Sequence, residues 1–289
     1  MLDINRILVV GAGAPLGLDI VRRLAAMGKT VMAAYRTPRP ALEESLTQAG
    51  GVPVQMDMGN RDDLRRRLTD CDAAVFTPIL TTSRLAAPLL RSNQPAVFFS
   101  SNNVAVVPED PIYAGLATAE RTVHATAPHT VILRPTMIYG SPGSGNLSRL
   151  MLAFRRWPVM LRPAGKALQQ PVFFRDLGGV AVTALLGPEF AGRTISVGGP
   201  DVVNLRDLYA KVAAAAGVYR PVLPVPVGIA ARFVAGLQSL GMTAPVSSHQ
   251  LQRAKLDKTA RGTDVITTET PLETGLQDLA EALRRQGRL

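Results

Sequence analysis

Short apolar runs rich in β-branched residues alternate with helically periodic segments through the first half of the chain. The runs are continuously apolar, which predicts strands with both faces covered, and they lie at residues 6–10, 30–35, 52–57, 73–77, 96–101, 130–135 and 193–199. The segments between and after them predict crossover helices near residues 15–28, 41–49, 61–69, 83–91, 112–127 and 175–187. This alternation predicts an α/β protein built on a parallel sheet.

The pattern changes at about residue 141, where loops rich in Pro and Gly appear. Helical periodicity returns near residues 204–216, 226–240, 246–254 and 272–286. We therefore expect a core of residues 1–140, completed by about 172–200, and a smaller, mainly helical lobe made of 141–171 and 201–289. The apolar segment 226–240 is too short to span a bilayer and fits a buried helix better.

Composition narrows the class of protein. The 289 residues are 47% hydrophobic and carry a net charge of +10, enough apolar content for a large core and a field that favours phosphorylated ligands. The basic residues are scattered and aromatic residues are few, so we do not expect a nucleic-acid partner. No signal peptide, transmembrane stretch or cysteine pair is visible, and we predict a cytoplasmic protein in which Cys71 is a core residue.

A glycine cluster joins the first strand to the first helix in "VVGAGAPLGLDIVRRL". Such a loop gives a tight turn, a backbone free of Cβ atoms and exposed N–H groups at a helix N-terminus, which together bind a pyrophosphate. The spacing G-x-G-x-x-x-G differs from the usual dinucleotide fingerprint, and the alanine after the second glycine adds a methyl group near the phosphate path. The predicted phosphate-binding residues are Gly11, Gly13, Ala14, Pro15, Leu16 and Gly17. We therefore predict a Rossmann-type, doubly wound parallel sheet that binds a dinucleotide.

The end of the second predicted strand indicates which dinucleotide binds. NAD sites usually carry a carboxylate there, whereas "AAYRTPRP" offers Arg36 and Arg39, which would attract a 2′-phosphate. The sequence favours NADP over NAD, and the alternative is that Arg36 is an ordinary solvated arginine. Asp57 either accepts a hydrogen bond from the adenine amino group or turns the chain before the next helix. Met58, Thr77 and Pro78, at or after the ends of two predicted strands, complete this part of the predicted cofactor site.

Motifs along nearly the whole chain resemble the extended and atypical short-chain dehydrogenase/reductases, which include nucleotide-sugar epimerases and dehydratases. The resemblance is carried by "ILVVGAGAPLG", "AAYRTP", "VQMDMGNRDDL", "AVFFSSNNV", "VILRPTMIYGSPGSGN" and "VFFRDLGGVAVTAL". The C-terminal segments "LPVPVGIAARFVAGLQSL" and "TPLETGLQDLAEAL" are similar to the subgroup around the NADPH-binding accessory subunit of respiratory complex I. That subgroup often binds the cofactor without a full catalytic set.

The resemblance also implies catalytic residues. In this family a tyrosine transfers the substrate proton, a lysine four residues later lowers the tyrosine pKa, and a serine orients the substrate. Ser101, beside Ser100, matches the serine and Tyr113 matches the tyrosine, but Ala117 occupies the position of the lysine. An isolated tyrosine has a pKa near 10, so only about one in a thousand is ionised at neutral pH.

No nearby cation replaces that lysine from sequence spacing alone. Arg121 lies eight residues after Tyr113, roughly 12 Å along a helix, and fits a surface arginine better. His124 and His129 have no spacing typical of a hydrolase triad. Tyr113 has an alternative role as an aromatic that packs at a helix start.

By the same resemblance, Pro135, Thr136 and Met137 lie near the nicotinamide, and Tyr139, next to Gly140, lines the cofactor and substrate cleft. Asn146 either meets a polar group of the substrate or caps the helix that follows.

Two functions stay open at this point. One is an NADP-dependent oxidoreductase, or an enzyme similar to nucleotide-sugar epimerases and dehydratases, acting through Ser101 and Tyr113 on an unidentified small molecule. The other is a non-catalytic NADP-binding protein that is structural or senses redox state. The family often forms homodimers through helices on the outer face of the sheet.

Overall fold

The computed structural model describes residues 4–143, 145–226 and 256–289, together with Gly228, Arg232 and Gly236. The chain divides into two compact units. The first, the sheet unit, comprises Met1–Pro135, Phe174–Val197 and Arg261–Ile266. The second unit comprises Thr136–Phe173, Gly198–Ala260 and Thr267–Leu289.

Strands are numbered along the chain. They are β1 Arg6–Val10, β2 Thr30–Tyr35, β3 Gly51–Gln55, β4 Ala73–Ile79, β5 Ala96–Phe99, β6 Val131–Pro135, β7 Ile138–Tyr139, β8 Met160–Pro163, β9 Leu168–Gln169, β10 Val172–Phe173, β11 Thr194–Gly198, β12 Val203–Asn204, β13 Val222–Val225 and β14 Val265–Thr267.

Helices are numbered in the same way. They are α1 Pro15–Ala26, α2 Pro40–Gln48, α3 Arg61–Thr69, α4 Leu80–Ser83, α5 Asn103–Val106, α6 Pro111–Thr126, α7 Asn146–Arg156, α8 Phe174–Leu186, α9 Leu205–Ala215 and α10 Leu272–Arg285. Short 3₁₀ segments lie at Arg84–Leu89 and Pro188–Phe190.

The sheet has the order β14-β11-β6-β5-β4-β1-β2-β3. Every neighbouring pair from β3 to β11 is parallel. Helices α1 and α8 contact each other, and α3 and α6 both contact the 3₁₀ segment after α4. The strand order reverses between β1 and β4, the place where doubly wound sheets bind ligands at their carboxyl ends. The predicted Rossmann-type fold is confirmed.

The buried strands explain the stability of this unit. Residues of β1, β4 and β5 that face α3 and α6 are almost fully buried, and Phe76 stacks on Phe98 with ring centroids 4.7 Å apart. Such a stacked pair adds about 0.5–1.5 kcal/mol to the free energy that comes from burying the rings.

Several elements of the sheet unit differ from their predicted form. The helix predicted at 83–91 is instead the short α4 followed by a 3₁₀ segment that contains Pro88, because proline lacks the N–H that a longer α-helix needs. Strands β3 and β5 end at Gln55 and Phe99, two residues earlier than predicted. The edge strand β14 was not predicted at all.

The second unit contains α7, α9 and α10, with three short strand pairs, β10 with β7, β12 with β9, and β13 with β8. Phe154 of α7 packs edge-on against Tyr209 of α9, with centroids 6.0 Å apart. The helix predicted at 246–254, and all but isolated positions of the helix predicted at 226–240, lie outside the described residues. No helix among the described residues is both long and apolar enough to cross a bilayer.

Candidate functional site

The glycine loop begins where β1 ends. Gly11 has φ of +79°, a left-handed conformation that other residues adopt rarely. The amides of Gly11 and Ala12 both donate to the Ala34 carbonyl of β2, each at 3.0 Å. A Cβ on Gly11 would lie 2.3 Å from Thr77 Oγ1, so both the backbone angle and the space require glycine.

Gly17 lets helix α1 approach this loop closely. A Cβ there would lie 2.4 Å from the Gly11 carbonyl oxygen and 2.8 Å from the Ala12 Cα, both backbone atoms that cannot move away alone. Gly13 is exposed, and a Cβ there would meet only the flexible side chain of Leu42, at 3.0 Å. Gly17 therefore allows α1 to pack closely against the loop, whereas Gly13 leaves the solvent-facing side of the loop without a side chain.

The N-terminus of α1 has donors to offer a ligand. Ala14 is the N-cap and provides no side-chain cap, and Pro15 occupies the first turn. Within the described chain, no protein acceptor takes the amide hydrogens of Leu16 and Gly17. The first turn also contains no acidic residue that would compete with an anion. Free amides combined with the helix dipole suit a phosphate group.

The end of β4 supports the same loop from the other side of the switch point. Thr77 Oγ1 donates to the carbonyl oxygens of Val10 and Gly11, at 3.0 and 3.2 Å. The register between β4 and β5 shifts between Phe76 and Ile79, so Thr77 and Pro78 form an irregularity at the strand end. Thr77 is a positioning residue for the loop in this structure.

Arg36 and Arg39 follow β2 and are both exposed. A carboxylate that the sequence does not predict lies at this end of the strand: Tyr35 Oη donates to Glu43 Oε1 of α2 at 2.5 Å. This hydrogen bond raises the pKa of Tyr35. Glu43 is thus engaged by Tyr35, while Arg36 and Arg39 remain at the surface.

Asp57 turns the chain after β3. Its Oδ1 accepts from the Gly59 amide at 3.0 Å, and its carbonyl accepts from the Asn60 amide, also at 3.0 Å. Asn60 then caps α3 by accepting from the Asp63 amide. The turn interpretation of Asp57 therefore holds, and its proposed contact with adenine stays a prediction. Met58 is half-buried against the core of the sheet unit.

The two serines lie just beyond β5. Ser101 Oγ accepts from the Asn103 amide at 3.2 Å, and the buried Ser100 hydroxyl makes no hydrogen bond within the described residues. Asn102 is buried, and its backbone N–H donates to the Pro135 carbonyl at 3.0 Å. Its side-chain Oδ1 accepts from the Arg261 backbone N–H at 3.1 Å. These bonds fix the backbone around Ser101.

Tyr113 lies in the first turn of α6, half-buried against the core. Its hydroxyl accepts a hydrogen bond from Asn103 Nδ2 at 2.8 Å. Asn103 begins α5, directly after the serines. Asn103 was not among the predicted site residues, although its amide side chain lies only two residues after the predicted Ser101.

The lysine position holds Ala117, which is half-buried against the same core as Tyr113. Arg121 is exposed, and its Nη2 donates to Thr118 Oγ1 at 2.9 Å, consistent with a surface role. His124 contacts Thr194 Oγ1 and His129 contacts the Gln94 carbonyl, each at 2.8 Å. Both histidines therefore connect elements of the sheet unit.

The arginine of the "RP" motif has a structural partner. Arg134 of β6 forms a two-pronged ion pair with Glu120 of α6, through Nε at 2.9 Å and Nη2 at 2.5 Å. The Glu120 side chain is almost fully buried, so loss of Arg134 would leave a buried charge unpaired. This pair fixes α6, and with it Tyr113, against the sheet.

The remaining predicted residues lie at or beyond the boundary of the two units. Pro135 ends β6 and is buried in the sheet unit, whereas Met137 belongs to the second unit, where its carbonyl accepts from the Val172 amide at 3.0 Å. Thr136 Oγ1 donates to the Gln170 carbonyl. Their proximity to a nicotinamide stays a prediction.

Tyr139 is 1% exposed and packs against Phe173 with the rings tilted by 51° and their centroids 5.6 Å apart. A Cβ on Gly275 of α10 would lie 2.3 Å from its hydroxyl oxygen. Tyr139 thus packs inside the second unit, and this burial gives no support to direct substrate contact. Asn146 is exposed at the start of α7 and accepts from Arg149 Nη2 at 3.1 Å, while Gly145 is the N-cap. Its substrate contact stays a prediction too.

Cys71 is buried two residues before β4 begins, and burial raises the pKa of its thiol to about 11. Its carbonyl accepts hydrogen bonds from Arg91 and Gln94. The described His, Cys, Asp and Glu residues include no cluster of three that would hold a metal ion.

Comparisons with known proteins agree with this geometry at the level of the fold. No family model matches the sequence, and no curated protein matches it. Solved structures do match over nearly their full length. A putative epimerase from Burkholderia cenocepacia is 20% identical, with a TM-score of 0.66 and coverage of 97% of this chain and 98% of that one.

UDP-glucose 4-epimerase from Thermotoga maritima is 14% identical, with a TM-score of 0.69 and coverage of 97% of this chain and 99% of that one. A dTDP-glucose 4,6-dehydratase from Bacillus anthracis, solved with NAD, is 12% identical, with a TM-score of 0.70 and coverage of 97% of both chains. At these identities the likeness establishes the fold alone.

Proposed function

We propose that this protein binds NADP(H) at the glycine loop and is an oxidoreductase, or an enzyme similar to nucleotide-sugar epimerases and dehydratases, of the short-chain dehydrogenase/reductase family. The observation that carries the proposal is the loop itself. It combines the positive φ of Gly11, the unengaged amides of Leu16 and Gly17 and a position at the switch point of the sheet. A dinucleotide pyrophosphate has the charge and size that these donors suit.

The residues of the sheet unit fit such a cofactor. Leu16 and Gly17 would donate to the pyrophosphate, Thr77 holds the loop in shape, and Arg36 would pair with a 2′-phosphate. When bound, the nicotinamide supplies a carbon that accepts or donates hydride. A bound dinucleotide would explain why the loop has glycine both where space is limited and where it faces solvent.

Tyr113 is the proposed proton donor. Ala117 occupies the position of the lysine, so the Tyr113 hydroxyl would act without a cation at that position. The Asn103 side-chain amide donates to the Tyr113 oxygen at 2.8 Å and fixes the position of the hydroxyl. Ser101, close to Asn103 in the chain, would hydrogen-bond the substrate oxygen. In the reductive direction Tyr113 would give its proton to a carbonyl oxygen.

A second candidate function is non-catalytic NADP binding with a structural or redox-sensing role. Ala117 favours it, because the lysine that assists proton transfer is absent while the glycine loop that would bind NADP is retained. The finer resemblance to the complex I accessory subunit rests on C-terminal segments, and most of "LPVPVGIAARFVAGLQSL" lies outside the described residues. This resemblance stays a prediction. Homodimerisation and a cytoplasmic location also stay predictions.

Thermal unfolding with and without nucleotide tests the binding proposal. A ligand at 100 times its Kd stabilises the folded state by about 2.7 kcal/mol, so NADPH should raise Tm measurably and NADH less. Equal protection by both would contradict the role of Arg36, and none by either would contradict binding at the loop.

Turnover separates the two functions. We expect NADPH oxidation, followed by its absorbance, with carbonyl compounds that include keto-sugar nucleotides, or conversion of a nucleotide sugar without net change in the cofactor, followed by product analysis. Either activity should be lost in Tyr113→Phe. Tyr113→Phe should still bind NADPH. If NADPH binds but Tyr113→Phe turns substrate over as fast as the parent protein, the tyrosine mechanism is wrong.

A further inference from the structure

A row of large apolar side chains faces solvent where α7 leads into β8 in the second unit. Trp157, Val159 and Leu161 are 52%, 43% and 50% exposed, whereas Met160 between the last two is 7% exposed. Trp157 ends α7 with extended backbone angles, and the chain bends at Pro158 and Val159 before β8 begins at Met160. Within β8, Leu161 projects to the side opposite the buried Met160, and that side is turned to solvent.

The neighbouring strand extends the row. Strands β8 and β13 pair in parallel, with Leu223 opposite Leu161, and Leu223 is 51% exposed. Paired residues in adjacent strands project to the same side of a sheet. Leu161 and Leu223 therefore form an exposed cross-strand pair, and the exposed Trp157 and Val159 lie just before Leu161 in the chain. These four apolar residues are called here the Trp157 face.

Two arginines lie beside the Trp157 face. Arg155 and Arg156 end α7 and are exposed, and the Arg156 guanidinium carbon lies 5.9 Å from the Trp157 ring centroid. The sequence contains no acidic residue between Glu120 and Asp176, or between Asp207 and Asp257. Both strands of the face lie within these stretches, so no carboxylate of either stretch offsets the arginines.

We propose that the Trp157 face docks on an anionic lipid surface. Tryptophan and aliphatic side chains enter the boundary between headgroups and acyl chains, and neighbouring arginines bind the anionic headgroups. The same charges oppose pairing of this face with a second copy of the chain, because Arg155 and Arg156 of both copies would meet. An aliphatic row is also poorly suited to stack nucleic-acid bases, which need aromatic platforms.

Intrinsic fluorescence tests the proposal directly, because Trp157 is the only tryptophan of the chain. Phosphatidylcholine vesicles with roughly a third phosphatidylglycerol should shift its emission to the blue and protect it from acrylamide, and pure phosphatidylcholine vesicles should do so far less. Added salt should weaken the effect, since anionic headgroups attract arginine electrostatically.

Charge-reversed variants locate the contact. Arg155→Glu with Arg156→Glu should weaken vesicle binding by at least about tenfold, and Leu161→Ser with Leu223→Ser should weaken it too. Arg22→Glu with Arg121→Glu, the same charge change at exposed arginines of the sheet unit, should have a smaller effect. Vesicle sedimentation measures binding for all of them, and NADPH is absent throughout, so the outcome is independent of the proposed function.

Several results would overturn the proposal. They are no blue shift with anionic vesicles, an equal shift with neutral vesicles, or equal losses in the two charge-reversed pairs. Protection of Trp157 without lipid, rising with protein concentration, would identify a second copy as the occupant. Protection that is independent of concentration would mean that the chain itself covers the face, and equal protection by a nucleic acid would identify that partner instead.

Discussion

The glycine loop after β1 and helix α6, called here the tyrosine helix because it carries Tyr113, lie near the carboxyl ends of strands of one sheet. They differ in how much space they leave for an added side chain. At Gly11 and Gly17 an added Cβ would collide with neighbouring atoms at 2.3 and 2.4 Å. In α6, a Cβ on Gly115 would meet only Thr81 Cγ2 at 4.0 Å, and the position of the family lysine holds Ala117. The proposed binding site therefore depends on the backbone, whereas the proposed proton transfer depends on side chains, which a substitution changes more easily.

Matched glycine substitutions test this contrast with the largest expected effect. Gly17→Ala should lower stability by about 1–3 kcal/mol, because its Cβ displaces backbone atoms. It should also weaken NADPH binding roughly 100-fold or more, since two charge-assisted hydrogen bonds from the loop amides are disturbed. Tm and calorimetric titration measure the two effects.

Gly115→Ala is the control for that substitution. It places the same methyl group in open space within a helix and should raise stability by up to about 1 kcal/mol. If both variants lose the same stability, the contrast between the loop and the helix is wrong.

Arg36→Ala should have the next largest effect and act on one nucleotide only. Loss of a charge-assisted hydrogen bond to the 2′-phosphate costs about 1.5–3 kcal/mol, which is roughly a 10- to 150-fold weaker Kd for NADPH. NADH binding should not change. Arg22→Ala, at an exposed arginine of α1, should alter neither. A parallel loss for both nucleotides would mean that Arg36 contributes general charge rather than recognition of the phosphate.

The hydrogen bond between Asn103 and Tyr113 should have a smaller effect, confined to the tyrosine helix. A double-mutant cycle of Asn103→Ala and Tyr113→Phe should give a coupling of about 0.5–1.5 kcal/mol in the free energy of unfolding. NADPH affinity should be nearly unchanged in all three variants. Coupling that appears instead in the affinity for NADPH would show that the two regions act as one.

Cys71 should give the smallest effect. It lies near the amino end of β4, away from both the glycine loop and the tyrosine helix. With its pKa raised to about 11 by burial, the thiol should react slowly with disulfide reagents at pH 8 until the protein unfolds. The unfolded thiol ionises near its ordinary pKa, so this residue contributes stability that is complete below about pH 8.5 and declines as pH rises towards 11. Cys71→Ser should flatten that decline, which denaturant titrations at several pH values will measure.

Most of the sheet was predictable because its strands are buried on both faces and therefore read as continuous apolar runs. The glycine loop was predictable for a related reason, since its constraint is local. Strand β14 was not, because Val265–Thr267 is a three-residue edge strand within a polar segment. The single helix predicted at 83–91 does not form, because Pro88 lacks the N–H of an α-helix although the apolar periodicity is helical.

The side chains of the candidate site were harder to predict than its backbone. Asn103 meets Tyr113 only because α5 folds directly after β5, which no periodicity announces. Tyr139 is enclosed by Gly275, far along the chain, so its burial depends on tertiary packing. Glu43 reaches Tyr35 from a different element in the same way.

Calorimetric titration of the purified protein with NADPH and NADH tests the central claim most directly. The loop geometry predicts one NADPH bound per chain, more tightly than NADH. It also predicts loss of binding in Gly13→Asp, which adds a negative charge to the glycine loop, and normal binding in Ser92→Asp, the same charge in an exposed loop before β5. Absence of binding in the parent protein, or equal binding in both aspartate variants, would contradict the claim.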